Sequence, residues 1–467
     1  MNEPQAQEDG ATRITWREIL SYGAGSVASN VGWNMVAAFL IVYYTDVALL
    51  PVAAVGTLVL LARIFDAVID PVAGVVVDRT HTRWGKARPY MLFGSVPFSI
   101  LCVLTFWVPN ASLALKLGYA YLTFGLLGAA YSFLYVPYGA MQPMLTTNAK
   151  QMLQLSSVRA MGTSLASVFV YSLMPPAVAA FGHGNPVHGY HRAAMLFSVI
   201  TMLLYWIVFF NCRERVRPVT RQPTPNLRRS VTQMFRNRIW LVAVIFELLI
   251  FVRLGMLAPA MAFYAKEVLH APSVASVLLP VMSVAILTGG LLAPLYLSRF
   301  GKRRGMYALL TFTIICFIAM AMVHSRVPLM LVFFFLGTVG NGVQGAMIFT
   351  MVTEAVDWQE ARFGSREEGL LSSSTAFTQK VGFAIGSALL AYVLAYVGYD
   401  PHQLKPLVQT TLVWLVTCVP IVVALLQMLC IHFYDSDGRD VRAAGAARPA
   451  PVGPSGFTAS PLPPKAS

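Results

Sequence analysis

The sequence predicts an all-α polytopic membrane protein with about twelve transmembrane helices. Two compositional features lead to this fold class: 57% of the 467 residues are hydrophobic, and only 12% are charged. A soluble domain carries about 25% charged residues, so the composition excludes an ordinary soluble domain. The third observation is that apolar runs of about 20 residues, the length of one membrane crossing, recur along the chain.

A long basic stretch after the sixth apolar run divides the runs into two sets of six. The first and tenth runs are longer than one crossing requires, which indicates tilt or an extension beyond the bilayer. By apolar run length, the predicted spans are 19–47, 53–78, 89–109, 115–142, 155–181, 190–211, 239–267, 273–298, 306–324, 328–356, 369–397 and 407–434.

The two sets of spans define the expected domains. A polar segment precedes the first span, and the last part of the chain is rich in Pro, Ala, Gly and Ser, a composition that cannot bury a core. The expected parts are a cytoplasmic N-terminal segment (1–18), an N-terminal six-helix bundle (19–211), a basic cytoplasmic linker (212–238), a C-terminal six-helix bundle (239–434) and a disordered cytoplasmic tail (435–467).

The distribution of charge predicts the orientation in the membrane. The formal net charge is +14, which in a soluble protein would suggest a nucleic acid partner. Here the Lys and Arg residues cluster in the loops after the second, sixth and eighth spans, whereas the loops at the opposite ends carry almost none. By the positive-inside rule, the basic loops and both termini are cytoplasmic. We therefore expect a multi-pass protein of the inner (cytoplasmic) membrane that binds no nucleic acid.

The second span carries three charges within an otherwise apolar run, Leu58–Arg79. Arg63, Asp66 and Asp70 are spaced i, i+3, i+7, so they share one face of a helix. Each costs about 2.5–3.5 kcal/mol on an insertion scale, and charges in such places normally line an ion or substrate path. Pro71 frees a backbone carbonyl near the carboxylates, and hard cations prefer oxygen ligands. The pattern predicts a cation site at Asp66 and Asp70 with Arg63 in its charge network; the alternative is a buried structural triad.

Polar side chains in the first, fourth and fifth spans are candidates for substrate binding. Asn30 and Asn34 are one turn apart and share a face, where their amides either meet substrate hydroxyls or hydrogen-bond a neighbouring helix. Tyr135 and Tyr138 place hydroxyl groups along the fourth span. Arg159 opens the fifth span, where an arginine often snorkels to the membrane interface instead.

Three further charged residues lie in apolar runs of the second half. Lys380, a lone ammonium in the eleventh span, needs a carboxylate opposite, for which Asp66 and Asp70 are the candidates. The alternative is that it reaches a cytoplasmic vestibule. Glu247 and Arg253 are six residues apart in the seventh span, so they are not close partners on one helix. Each is expected to find a partner elsewhere or to approach a membrane interface, and their roles stay open.

Two loops on the predicted cytoplasmic side carry charges of opposite sign. Arg83 and Lys86 follow the second span, and Glu354 and Asp357 end the tenth. We expect these residues to form a gate by pairing when the cytoplasmic side closes. The alternative is a pair of solvated loops, where exposed ion pairs contribute about 0–1 kcal/mol each.

The motif content does not indicate an enzyme. The sequence has no HExxH, GxSxG or P-loop, and its five cysteines show no CxxC spacing. We therefore expect no catalytic residues, no metal site and no cofactor apart from the coupling cation. GNGVQG at Gly340–Gly345 matches GxGxxG but lacks the strand–turn–helix context of a dinucleotide site. Small residues in membrane helices favour close packing instead.

The chain contains the stretches SYGAGS (21–26), VYYTD (42–46), ARIFDAVIDP (62–71), RWGKARP (83–89) and EAVDWQEARFGSREEG (354–369), together with the span around Lys380. Together these stretches resemble the glycoside–pentoside–hexuronide:cation symporter family of the major facilitator superfamily. The resemblance covers nearly the whole chain. It implies a major facilitator fold, in which two six-helix bundles enclose a cavity, and cation-coupled uptake of a sugar or glycoside.

The resemblance also implies roles for individual residues. Asp66 and Asp70 correspond to the acidic pair that holds the cation, and Ser132 stands where a hydroxyl of the fourth helix assists. Lys380 stands at the family's lysine of the eleventh helix, which communicates with the acidic pair. Arg159 matches an arginine of the fifth helix that lies close to the sugar.

The chain departs from the family's melibiose-type pattern at four positions. Asn30 replaces an aspartate of the first helix, and Tyr135 replaces an aspartate of the fourth. Gly139 stands in place of a tryptophan, and Ile69 in place of an asparagine beside the cation site. The chain therefore keeps the two coupling carboxylates but lacks the two aspartates that bind the galactoside in that pattern. The resemblance therefore favours a different glycoside and leaves both Na⁺ and H⁺ open as coupling cations.

The first functional hypothesis is secondary active transport, namely symport of a sugar or glycoside with Na⁺ or H⁺ by alternating access, by a monomer in the lipid bilayer. Occupation of both the cation site and the midplane cavity favours rocking of the halves. A second hypothesis is cation-coupled transport of an amphipathic ligand, such as a lysolipid or an aromatic glycoside. It rests on Tyr135 and Tyr138, which stand in place of a charged substrate-binding group. A third is a transport-inactive membrane sensor or scaffold.

Overall fold

The computed structural model describes residues 14–146, 148–215, 232–323, 326–363, 368–403 and 405–434. Over these ranges the chain forms twelve α-helices of 11 to 37 residues, which confirms the all-α polytopic fold class. Eleven of them are long and apolar enough to cross a membrane. The helices are α1 (Trp16–Val42), α2 (Val52–Arg79), α3 (Ser95–Thr105), α4 (Leu113–Leu145), α5 (Ala149–Gly182), α6 (Pro186–Asn211), α7 (Arg238–Glu267), α8 (Ala275–Phe300), α9 (Lys302–Met322), α10 (Val327–Phe363), α11 (Glu368–Tyr396) and α12 (Pro406–His432).

The predicted third span, 89–109, is shorter in the structure. A π-helical segment, Tyr90–Gly94, leads into α3, and the combined apolar helix ends at Thr105. Pro109 explains the early end, because proline has no backbone donor and disfavours the helical conformation of the preceding residue, Val108.

The expected terminal segments and the linker fall largely outside the described residues: these are 1–13, 216–231 and the whole predicted tail, 435–467. The described chain starts just before α1, which Thr15 and Glu18 open with a reciprocal capping box. The Glu18 carboxylate also pairs with Arg215 at 2.7 Å. The start of α1 is therefore tied to the chain that leaves α6.

Most of the described contact between the two halves comes from three pairs of helices. α2 packs on α11, α5 on α8, and α1 on α7. Within the second half, α7 and α11 approach backbone to backbone, since a Cβ atom on Gly255 would lie 2.3 Å from the carbonyl oxygen of Phe383. A Cβ atom on Gly386 would lie 2.0 Å from the carbonyl oxygen of Val252. Small residues permit this contact, and it positions α11 against α2.

A cluster that we call the outer latch connects the halves on the face opposite the 80–89 loop. It consists of Asp46, beyond the end of α1, and Lys266, Glu267 and Tyr399 of the second half. The Lys266 ammonium pairs with Asp46 across the interface, and it lies 3.3 Å from Glu267. The Tyr399 hydroxyl lies 2.9 Å from Asp46 Oδ1 and 3.2 Å from Glu267 Oε1. Burial, with the nearby Asp46 and Glu267 carboxylates, raises the pKa of Tyr399, so its hydroxyl stays protonated and donates.

Candidate cation and substrate site

The centre of α2 holds a buried ion pair. Arg63 Nη1 lies 3.0 Å from Asp66 Oδ2, and each side chain is only 3% exposed. Three aromatic rings surround the guanidinium: its central carbon is 3.8 Å from the ring centroid of Trp33 and 5.8 Å from those of Phe124 and Phe383. Such cation–π contacts favour the charged form. Because the rings come from α1, α4 and α11, both halves of the molecule position Arg63.

The second oxygen of Asp66 faces α4. A Cβ atom on Gly128 would lie 1.9 Å from Asp66 Oδ1, so only glycine leaves room for the carboxylate. Ser132 is four residues further along α4 and lies on the same face. Asp66 Oδ1, Asp70 Oδ1 and Ser132 Oγ are buried, and each lacks a hydrogen-bond partner among the residues described. Buried polar atoms are normally paired, and these three are oxygens, as a hard cation prefers.

Asp70 links the two halves directly. Its Oδ2 pairs with Lys380 on α11, with side-chain exposures of 27% and 15%. The charges of Arg63, Lys380 and Asp70 all act on the Asp66 carboxylate. The network therefore contains two cationic and two carboxylate side chains, and their charges sum to zero without an added ion.

Arg159 on α5 lies among tyrosines of α4. Its Nη2 donates to the Tyr135 hydroxyl at 3.2 Å, and its guanidinium carbon lies 5.5 Å and 5.4 Å from the ring centroids of Tyr135 and Tyr138. The backbone of Gly139 faces the guanidinium. In the described parts of the chain, no carboxylate forms an ion pair with Arg159. Among the described residues it is thus a partly buried cation without a counter-charge.

The two tyrosines predicted to bind substrate differ in their surroundings. Tyr138 is fully buried, stacks on Tyr22 at 4.7 Å and donates its hydroxyl to the Tyr22 carbonyl at 2.6 Å. Tyr135 is half-buried and stacks on Tyr131 at 5.3 Å. Tyr135 is therefore the one of the pair that a ligand beside Arg159 can reach.

The two asparagines of α1 both hydrogen-bond to α5. Asn30 donates to Thr163 Oγ1 at 3.2 Å and to the carbonyl of Ser26 at 2.8 Å. Asn34 is buried, donates to Ser167 Oγ at 2.9 Å, and accepts from Tyr171 at 3.3 Å. Asn30 is half-buried. Interhelical bonding, one of the two interpretations of the sequence, therefore occurs at both positions, while Asn30 keeps some exposure.

Three of the four residues predicted to form the cytoplasmic gate, Glu354, Arg83 and Lys86, make their described contacts within their own halves. Glu354 pairs with Lys302 and accepts from Tyr434, both of the second half. In the first half, the Arg83 guanidinium stacks over Trp84 at 4.4 Å, and the Lys86 backbone donates to Glu214 at 2.7 Å. Asp357 is exposed on α10. A gate across the halves stays a prediction for a state in which this face closes.

Sequence reasoning missed four residues of the site, namely Trp33, Gly128, Phe124 and Phe383. Trp33 was the most detectable, because tryptophan usually lies at the membrane interface and this one lies well inside a span. The other three belong to ordinary apolar runs. Their roles depend on which helices become neighbours.

Known proteins with similar sequences or folds include sugar transporters. Residues 21–438 match the family described as MFS/sugar transport protein. A glucuronide carrier protein homolog of Escherichia coli (strain K12) is 34% identical over 427 residues, covering 90% of this chain and 93% of the relative. A putative glycoside/cation symporter of the same organism is 30% identical over 430 residues, covering 91% and 92%.

The fold resembles that of solved transporters. The crystal structure of a D-xylose-proton symporter matches with a TM-score of 0.64 over 90% of this chain and 98% of the other, at 13% identity. This agreement confirms the major facilitator fold. Because the family match spans most of the chain and these relatives cover nearly all of it, the protein belongs to the MFS/sugar transport family of glycoside/cation symporters and is a multi-pass membrane transporter, not an enzyme.

Proposed function

We propose that the protein couples the movement of one monovalent cation, Na⁺ or H⁺, to uptake of a glycoside by alternating access. The observation that carries this proposal is the group of unpartnered, buried oxygens on Asp66, Asp70 and Ser132. These oxygens lie where Asp70 of the first half pairs with Lys380 of the second. In this proposal the acidic pair and Ser132 hold the cation, and the surfaces of α1, α4, α5 and α11 bind substrate.

Competition for Asp70 supplies the coupling. Without a cation, the Lys380 ammonium balances Asp70 and links α2 to α11. A sodium ion or proton at the acidic pair weakens that link, because the carboxylate charge is then already neutralised. Cation binding therefore changes the free energy of separating the halves, which is the quantity that a coupled transporter must change.

In the proposed orientation, the protein lies in the inner membrane and both termini are in the cytoplasm. The basic 80–89 loop and both described ends lie on one face, as the positive-inside rule requires. The outer latch then closes the external face, while the gate residues Arg83 and Glu354 bond within their own halves. We infer that this arrangement is the inward-facing state.

A second candidate function is transport of acidic glycosides, and Arg159 favours it. The charges of Arg63 and Lys380 are balanced by Asp66 and Asp70, so Arg159 leaves one uncompensated positive charge. A carboxylate or sulfonate on a sugar would accept a bidentate bond from the guanidinium. Asn30 and Tyr135 are neutral and would not repel it. A relative named as a glucuronide carrier homolog is consistent with such a substrate.

The proposed function is tested by uptake into proteoliposomes under an imposed sodium or pH gradient, with matched panels of neutral and acidic glycosides. We expect wild-type protein to accumulate at least one glycoside against its concentration gradient. Asp70→Asn should lose the gradient-driven part of uptake. The matched variant Asp400→Asn, in the loop between α11 and α12, should retain it. Equal gradient-driven uptake by both variants would overturn the assignment of Asp70.

A further inference from the structure

The interior of the C-terminal half holds a charge that the proposed transport cycle does not use. Arg253 on α7 is 0% exposed. An arginine side chain stays protonated in proteins, so this position carries a full positive charge away from water and lipid headgroups. An unpaired buried charge is costly and normally acquires a counter-charge.

The described contacts of Arg253 are with neutral amides. Its Nη2 donates to Asn341 Oδ1 and, at 2.8 Å, to Gln344 Oε1, both on α10. The same Gln344 oxygen accepts from Gln427 of α12 at 3.1 Å. These amides supply hydrogen-bond acceptors but no negative charge. None of the ion pairs between described residues includes Arg253.

Of the two other buried charged residues on α7, Glu247 and Glu267, the nearer one, Glu247, does not compensate Arg253. Glu247 lies six residues earlier, which is about 9 Å along a helix axis. Its carboxylate accepts from Gln379 of α11 at 2.9 Å. Glu247 is therefore directed to the α7–α11 contact, whereas Arg253 is directed to α10 and α12.

The nitrogens around Arg253 outnumber the oxygens available to them. Arg253 Nε and Nη1 and Gln344 Nε2 are buried without a partner within the described ranges. Of the oxygens on the three neighbouring amides, Gln427 Oε1 also lacks a partner. A water molecule would satisfy some of these donors but would leave the charge uncompensated. An anion satisfies both requirements.

The GNGVQG stretch of α10 brings these amides to Arg253. A Cβ atom on Gly342 would lie 2.0 Å from the carbonyl oxygen of Ile286 on α8, so this glycine allows α10 to pack closely on α8. Asn341 and Gln344 of the same stretch reach Arg253 instead. The motif therefore combines close packing on one neighbour with amide groups for another.

We propose that a small monovalent inorganic anion, such as chloride, binds beside Arg253 between α7, α10 and α12. The anion accepts from the unpartnered nitrogens of Arg253 and Gln344 and balances the guanidinium charge. This site is separate from the Asp66–Asp70 network, and it stabilises the C-terminal half whatever the transported substrate is.

The test compares thermal unfolding of detergent-purified protein prepared throughout in chloride or in gluconate at equal ionic strength. Ligand that binds only the folded state raises Tm as its concentration rises. We expect chloride to raise the Tm of the wild-type protein by about 2–4 °C relative to gluconate. Arg159→Gln removes a partly buried arginine of the N-terminal half instead of Arg253, and this variant should show the same chloride effect. Equal Tm values for the wild-type protein in both salts would overturn the proposal.

A charge-complementing variant separates a specific site from a general salt effect. Asn341→Asp places a carboxylate where Asn341 Oδ1 now accepts from Arg253. It should make Tm independent of chloride and as high in gluconate as the wild-type value in chloride. Asn185→Asp, which adds the same charge at the cap of α6, should keep the chloride dependence. Chloride dependence that survives in Asn341→Asp would contradict the proposal.

Crystals grown in bromide identify the occupant directly. An anomalous bromide peak next to Arg253 is the expected result. Ordered water alone at that position, in crystals that contain bromide elsewhere, would show that no anion balances the guanidinium.

Discussion

At residue 128, the absence of a side chain determines where a carboxylate can lie. Alanine there would place its methyl group 1.9 Å from Asp66 Oδ1, so the carboxylate would have to turn away from Ser132. We expect Gly128→Ala to lower the apparent cation affinity of uptake about tenfold or more, which corresponds to about 1.4 kcal/mol. The control is Gly125→Ala on the same helix, because nothing lies within 4 Å of a Cβ atom there. Equal cation affinities for the two variants would remove Gly128 from the cation site.

We expect Arg159 to distinguish acidic from neutral glycosides. A hydrogen bond to a charged group contributes about 1.5–3 kcal/mol, so Arg159→Gln should reduce uptake of acidic glycosides about tenfold or more. Uptake of neutral glycosides should change much less. Competition between labelled acidic and neutral glycosides in the same proteoliposomes measures both effects. A similar loss for both classes would mean that Arg159 supports the site without recognising an acidic group.

Among the helices, the α7–α11 contact leaves no room for added volume at Gly386. In Gly386→Ala the new methyl group would lie 2.0 Å from the backbone oxygen of Val252, which cannot rotate away. Overpacking of this kind costs about 1–3 kcal/mol, and we expect a Tm lower by a few degrees and weaker uptake. Gly290→Ala on α8, with nothing within 4 Å of its Cβ atom, should unfold like the wild-type protein. If Gly386→Ala unfolds at the wild-type temperature, the helices are less closely packed than described.

The sequence predicts the helices and the charged residues of the site better than it predicts their neighbours. A charge inside an apolar run is costly, so the sequence alone is enough to identify Asp66, Asp70 and Lys380 as candidates. Gly128 and Phe383 do not, because their roles arise only when α4 and α11 pack against α2. The shortened third span shows the same limit on a local scale, since run length detects the helix but not the end that Pro109 imposes.

For the whole molecule, we expect the outer latch to keep its face closed. Lys266→Ala removes the cation that bridges to Asp46, so the outer ends of the halves should separate more often. Spin labels at the exposed positions 113 and 407, in a chain whose native cysteines are replaced, report the distance between those ends. We expect a larger population at long distance in Lys266→Ala. The exchange Asp46→Lys with Lys266→Asp should restore the wild-type distribution. Identical distributions for wild type and Lys266→Ala would show that other contacts close this face.

The most direct test of the transport account is the reactivity of the Lys380 amine, which pairs with Asp70 in this structure. Reductive methylation followed by mass spectrometry measures that reactivity, and Lys302, paired with Glu354 outside the cation site, serves as the internal reference. If a cation at Asp66 and Asp70 releases Lys380, methylation of Lys380 relative to Lys302 should rise with sodium or with acidification in the wild-type protein. It should respond to neither in Asp66→Asn. A ratio unaffected by both sodium and pH, in protein that still sustains gradient-driven uptake, would contradict the account.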